Sequence, residues 1–425
     1  MSATLTQQRR SALMRQTVCS QEYPLISAQP KQGVLLEIPV PSADARKVTI
    51  QCCPADDLAI QAALDRAEQG QQVLWIENTV AEAQAIYQRL SAMDMPIECG
   101  LLHSRFLKTD RALKENYWVA LYGKDNHQAR QTQGRILVGT QILEQSLDID
   151  ADFLISRFAP TDMLLQRLGR LWRHDDTPRP DEINCEVWFL TPDLASAIAD
   201  AKGQFGKTAK VYSPYVLCRS LDVWRLLDSV ALPDDIRHLI EATYAERKEQ
   251  GSMLDYQAEL ATVRAKLENI ARGTLSKVRK TLSENRASTR YSEQDSVQVL
   301  LLKSYRHTPD KSATEITLLD GEKRLLPRDL KIRDKAQWRD LAATLLQNTV
   351  QVADYLAPKP MQKDDLKWLE DYIYLGNPDP KYDESLLRIA IVDEADNLQG
   401  LYGGEALPNY RLSYNKDFGY QAEKI

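Results

Sequence analysis

Two neighbouring stretches decide how this chain folds: Val138-Gly139-Thr140-Gln141-Ile142-Leu143-Glu144-Gln145-Ser146-Leu147-Asp148-Ile149-Asp150, then Leu165-Gln166-Arg167-Leu168-Gly169-Arg170-Leu171-Trp172-Arg173. The first follows the apolar run Arg135–Val138, read as a strand. It therefore starts on a loop at a strand's carboxyl end, where open α/β sheets bind ligands. Before the second, Pro160 and Thr161 read as a helix start. Gln166, Gly169, Arg170 and Arg173 then fall at i, i+3, i+4 and i+7, on one helical face, while Leu164, Leu168 and Leu171 line the neighbouring face. The hydroxyl of Thr140 and nearby backbone amides suit a nucleic-acid phosphate. The carboxylate of Asp148 suits a ribose or a link between nucleotide and nucleic acid. Two guanidiniums one turn apart beside Gly169 can both reach a triphosphate, where charge develops during phosphoryl transfer.

The same pattern spreads outward. Val73–Ile76 reads as a buried strand. Thr79-x-x-Glu82 is a capping box opening a helix with Ala83, Ile86, Tyr87 and Leu90 on one face. A preceding helix places Ile60, Ala63, Leu64 and Ala67 together and stops at Gly70. Further strands are expected over 97–102, 152–155 and 185–190. Strand–helix alternation of this kind predicts an α/β fold with a RecA-like parallel sheet covered by helices on both faces. The expected divisions are 1–47, a remnant and crossover; 48–200, the parallel-sheet domain; 201–292, a mostly helical linker; and 293–425, a smaller α+β accessory domain. Basic residues from Arg264 to Arg290 outnumber acids and read as a solvated face or a DNA-facing stripe. In the last division, strands are expected at 297–302, 315–319, 387–392 and 410–414.

Composition narrows the function classes. The formal charge of −6 gives no global field to attract nucleic acid, so such binding needs a local groove. Six cysteines without a CxxC pair, and five scattered histidines, argue against a zinc site or a disulfide scaffold. No apolar run is long enough for a membrane helix. The expected location is cytoplasmic, with no membrane partner. Arg9, Arg10 and Arg15 ahead of any acid look superficially like an organelle transit peptide.

The pair of stretches resembles motifs V and VI of superfamily 2 helicases, and its wording is similar to the helicase-nuclease of type I CRISPR systems. Trp75–Val80 resembles that family's motif IV, and Leu102-His103-Ser104-Arg105-Phe106 the segment after it. The resemblance is specific over about residues 70–175. It implies an ATP-dependent 3′→5′ single-stranded DNA translocase in antiviral defence, recruited by the surveillance complex Cascade. Arg170 and Arg173 would be arginine fingers. Gln166, Gly169 and Asp148 would contact nucleotide, with Asp148 coupling it to DNA. Asn78, Thr79, Arg105 and Thr140 would touch the DNA backbone.

Met1-Ser2-Ala3-Thr4-Leu5 resembles motif III, so the chain is expected to start where the first RecA-like domain's motifs finish. The HD nuclease and most of that first domain would then be missing. ATP and magnesium would bind only with that domain supplied, no metal site is assigned, and the isolated chain is expected to have neither ATPase nor nuclease activity. Three look-alikes are set aside. Gly206-Lys207-Thr208 lacks the strand-loop-helix context of a P-loop. Asp393-Glu394-Ala395-Asp396 reads as a hairpin turn, and His174-Asp175 has no companion histidines. Two other readings stay open: a non-catalytic DNA- or Cascade-binding module, including the partner of a separately encoded first half with the nuclease domain, and another superfamily 2 translocase.

Overall fold

The computed structural model describes residues 5–276, 296–376 and 383–425, apart from Cys19, 31–32, 42–44, Asp94, 125–126, 145–146 and Asp329. The motif III resemblance at Met1–Thr4, and the basic stripe from Lys277 onward, lie outside the described residues. The chain forms two compact units. One is Met1–Leu102 with Tyr117–Lys266; the other is His103–Asn116 with Leu267–Ile425.

The first unit is built on a seven-stranded sheet. Its order is Glu98–Leu102, Arg135–Gly139, Gln72–Ile76, Phe153–Arg157, Glu186–Leu190, Arg46–Cys53 and Ser229–Leu232. Neighbouring strands run parallel except the last, which joins Arg46–Cys53 antiparallel. Gln72–Ile76 and Arg135–Gly139 are buried at every position, as strands covered on both faces must be. The helix Asp56–Glu68 buries Ala59, Ile60, Ala63, Leu64 and Ala67, and Gly70 leaves it at φ +85°. The helix Val80–Ser91 is capped as read: Thr79 Oγ1 accepts from the Glu82 N–H and meets the Glu82 carboxylate at 2.5 Å. The edge strand Ser229–Leu232 comes from the stretch read as a helical linker. The helices Pro214–Trp224 and Ile236–Tyr244 flank it in sequence and add Leu217, Leu221, Trp224 and Ile240 to the core.

The second unit is mixed α+β. Ser296–Leu302 pairs antiparallel with Thr349–Ala353 and parallel with Arg388–Val392. A three-stranded sheet (Ser304–His307, Ala313–Thr317, Lys323–Pro327) and the hairpin Tyr410–Asn415/Gly419–Lys424 complete it. The DEAD-like residues lie on the turn between Arg388–Val392 and Leu398–Gln399, where Asp396 has φ +64°. Among the described residues no helix is long and apolar enough to cross a membrane. Burial pushes the thiols of Cys99 and Cys185 to about 11 and Cys218 to about 12, the behaviour of inert core cysteines.

Candidate functional site

The strand directions separate the candidate residues. Asn78 and Thr79 follow the strand Gln72–Ile76, and Thr140 follows Arg135–Gly139, so all three sit at the sheet's carboxyl edge. From there the chain crosses back. The N–H of Asp152 donates to the carbonyl of Gln72, the first residue of its strand, at 2.9 Å. Asp148–Asp152 therefore lie at the opposite, amino edge. The expectation that this whole stretch sits at strand carboxyl ends holds for Thr140 and fails for Asp148.

The second stretch also departs from a continuous helix. The helix spans Thr161–Leu168 and ends with Gly169 as its C-cap. Ala151 and Leu171 form a parallel bridge, with Ala151 N–H on Arg170 O at 2.8 Å and Trp172 N–H on Ala151 O at 2.9 Å. Trp172 turns to φ +50° and lies under the Arg179 guanidinium, 4.7 Å from the ring centre. Burial of Leu171 and the bridge to Ala151 therefore overrule helical periodicity beyond Leu168. Gln166, half-buried on the helix, does not share one helical face with Arg170 and Arg173.

Both arginines nonetheless reach the segment that carries Asp148. Arg170 donates from Nη1 to Leu147 O and from Nη2 to Glu144 O, both at 2.6 Å. Its buried Nε has no hydrogen-bond partner among the described residues. Arg173 Nε stands 3.1 Å from Asp148 Oδ1, and His174 Nε2 3.0 Å from the same oxygen. Arg173 and Asp148 are more than a third exposed and Gly169 is open to solvent, so a ligand has access to this edge.

The carboxyl edge is more closed than expected. Asn78 is 2% exposed. Its Nδ2 donates to Phe158 O (2.7 Å) and Thr208 Oγ1 (2.9 Å), and its Oδ1 accepts from Arg167 Nη2 (2.7 Å). A side-chain contact from Asn78 to DNA is therefore not available in this arrangement. Thr208, the hydroxyl of the P-loop look-alike, is consumed in the same network. Thr140 is 3% exposed, and its N–H donates to Leu102 O. Thr79 remains half-buried with its hydroxyl engaged in the helix cap. Arg105 belongs to the second unit, on the segment before the helix Lys108–Tyr122.

Sequence reasoning passed over the residues that organise both edges. Arg167 is wholly buried and bonds Glu144, Ser156, the carbonyl of Arg157 and Asn78, all within 2.8 Å. Glu77, also fully buried, accepts from Arg157 Nε (2.8 Å) and Nη2 (3.0 Å) and from the Trp75 indole N–H. At the amino edge Asp150 and Asp152 are fully buried and clamped by Arg179, with Arg130 also on Asp152. A buried carboxylate needs this kind of pairing. Single-sequence reading has no signal that separates Arg167 from the solvent-facing arginines beside it.

The stretch that carries these residues resembles known proteins in sequence. Residues 69–176 match the family model for the C-terminal region of the CRISPR-associated nuclease/helicase Cas3. The chain is 37% identical over 200 residues to the CRISPR-associated endonuclease/helicase Cas3 of Escherichia coli, covering 45% of this chain and 21% of that protein. It is 41% identical over 150 residues to the Thermus thermophilus protein of the same name, covering 34% of this chain and 15% of that one. The chain thus spans about a fifth or less of the length of these curated relatives. In fold, it matches T. fusca Cas3-AMPPNP with a TM-score of 0.68 at 22% identity, over 98% of this chain and 50% of that one. It matches a chain of a pre-nicking CRISPR RNA-guided surveillance complex with a TM-score of 0.66 at 20% identity, over 99% of this chain and 52% of that one. These likenesses, low in sequence identity, establish the RecA-like domain with its accessory domain.

Proposed function

We propose that this chain, a relative of the C-terminal portion of Cas3, supplies the second half of an ATP-driven 3′→5′ single-stranded DNA translocase in type I CRISPR defence. The observation that carries this reading is the convergence of Arg170 and Arg173 on the Asp148 segment at one open edge of the sheet. Guanidiniums placed there fit the oxygens of a γ-phosphate held by another RecA-like domain. In this reading Thr79 of the first unit and Arg105 of the second each contact the DNA backbone, the buried Thr140 does not, and Cascade is the recruiting partner. Asn78 acts through Arg167 rather than by touching DNA.

Magnesium calls for carboxylates grouped around a gap. Among the described residues no three His, Cys, Asp or Glu side chains are so arranged, and the buried Asp150 and Asp152 are spent on arginines. This reading assigns the metal and the β- and γ-phosphates to a first RecA-like domain and expects no turnover from the 425-residue chain by itself. The deciding experiment adds a first domain bearing a P-loop in trans and follows DNA-stimulated ATP hydrolysis. Turnover that appears only in the mixture supports the reading. Steady DNA-stimulated turnover by the chain alone, or none in the mixture, refutes it.

A further inference from the structure

The segment read as a crossover is fastened to the first unit by one arginine. Arg237, on the helix Ile236–Tyr244, donates from Nη1 to Leu5 O (2.8 Å) and reaches Glu22 O from Nη2 (3.5 Å). Its guanidinium also lies 5.7 Å from the centre of the Tyr23 ring. Between those two carbonyls runs the helix Gln7–Met14. Its Gln7 N–H donates to the Glu241 carboxylate, and Gln8 Nε2 donates to Glu246 Oε1 at 2.9 Å.

The chain then forms an antiparallel hairpin, Leu25–Ala28 with Leu36–Pro39. One face of it is anchored. Glu37 accepts from the Ser20 N–H (3.1 Å) and pairs with the buried Arg10 (3.8 Å), which itself donates to Ser20 O (2.9 Å). Side chains alternate along a strand, so the other face carries Ile26 opposite Ile38 and Ala28 opposite Leu36. Ile26, Leu36 and Ile38 are 53%, 52% and 52% exposed, and Val34 on the connection between the strands is 80% exposed. A two-stranded hairpin has little core of its own, and a contiguous apolar face left in water marks a contact surface.

Aliphatic side chains offer neither charge nor donors to a phosphate, so nucleic acid does not fit this face. An apolar protein surface does. Arg237 indicates which one. Leu5 directly follows Ser2-Ala3-Thr4, the stretch that resembles the last motif of a first RecA-like domain, and Glu22 leads into the hairpin. One guanidinium gathers both carbonyls, so a domain joined through that motif stands beside the base of the hairpin. Half of the T. fusca Cas3-AMPPNP chain lies outside the region this chain matches.

We infer that the outward hairpin face, Ile26, Leu36 and Ile38 with Val34, is the seat of a first RecA-like domain, which docks through an apolar patch of its own, and that Arg237 holds the seat in place. This rests on the reading of the chain as half of a motor and adds a contact surface that the nucleotide and DNA residues do not include.

The test titrates the full chain with the P-loop-bearing domain by calorimetry, without DNA. Ile26→Ser combined with Ile38→Ser is expected to weaken association by about tenfold or more, because it strips the centre of an apolar contact. Leu58→Ser, at a residue 59% exposed on the helix Asp56–Glu68, is expected to leave association unchanged. Hydroxyl-radical footprinting of the wild-type mixture checks the same point without any variant: oxidation of Ile26, Leu36 and Ile38 is expected to fall when the domain is added. A mixture that associates with these residues oxidised as before overturns the seat, as does a double variant that binds like wild type or no worse than Leu58→Ser. Self-association of the chain alone that shields the same residues overturns it in favour of a second copy. Wild-type chain that does not associate with the domain at all removes the half-motor reading, and the seat with it.

Discussion

Arg167 and Glu144 meet at 2.7 Å with both side chains wholly out of solvent. Arg167 holds Glu144 by Oε1, while Oε2 has no hydrogen-bond partner among the described residues, and burial raises its carboxyl pKa against the opposing pull of Arg167. The pair also fixes Asn78, Ser156 and the carbonyl of Arg157. Removing one partner of such a pair leaves a buried charge uncompensated. Arg167→Ala is expected to cost about 3–5 kcal/mol, and Arg167→Met with Glu144→Leu to recover most of that loss. Urea unfolding of the three chains checks this. A single-variant loss below about 1 kcal/mol would show that Arg167 is not the structural centre of this edge.

This pair marks where sequence reading ran out. Strands such as Gln72–Ile76 and Arg135–Gly139, and the Thr79 cap, were legible because local chemistry and burial agree there. The helix end was not. Periodicity carries Leu171 and Arg173 onto a helical face, but the bridge from Leu171 to Ala151 is a non-local hydrogen-bonding choice that a one-dimensional pattern does not encode. The burial of Asn78 is illegible in the sequence for the same reason. Its amide is filled by Phe158, Thr208 and Arg167, the farthest 130 residues away in sequence. The arginine-to-Asp148 contact was anticipated only as a shared destination, and the structure reaches it from a turn instead of a helix.

Arg170 spans two backbone carbonyls at 2.6 Å with separate nitrogens, a fork that an ammonium does not reproduce. With a P-loop domain supplied in trans, Arg170→Ala is expected to lower ATP turnover by about 10³–10⁵, the range for arginine fingers. Arg170→Lys is expected to fail with it. A loss under tenfold for Arg170→Ala, measured under saturating DNA, would remove this residue from the phosphate.

Burial drives the His103 imidazole down to about 3, and its Nδ1 accepts from the Arg105 N–H. That bond requires the neutral ring. The folded pKa lies below the unfolded value near 6.5, so the unfolded chain binds the extra proton between those limits. Stability from the neutral ring is complete above about pH 6.5 and declines as pH falls toward 3, by at most about 1.4 kcal/mol per pH unit. His103→Gln, which cannot titrate, is expected to flatten this acid limb in thermal unfolding of the second unit. An unchanged slope would mean that another group sets it.

Asp148 separates a functional role from a structural one. Its carboxylate serves Arg173 and His174 through one oxygen, and it is 39% exposed, as Arg173 is 37%. Ion pairs this open contribute about 0–1 kcal/mol because solvent and salt screen them. Asp148→Asn is therefore expected to shift unfolding by no more than about 1 kcal/mol. The amide keeps an oxygen to accept from His174 but loses the charge that holds Arg173 at the sheet's amino edge. In the complemented enzyme this predicts a fall in turnover of at least tenfold, with oligo(dT) affinity of the chain unchanged. Loss of strand affinity in step with turnover would place Asp148 on the DNA path, and a stability loss well above about 1 kcal/mol would make it part of the fold.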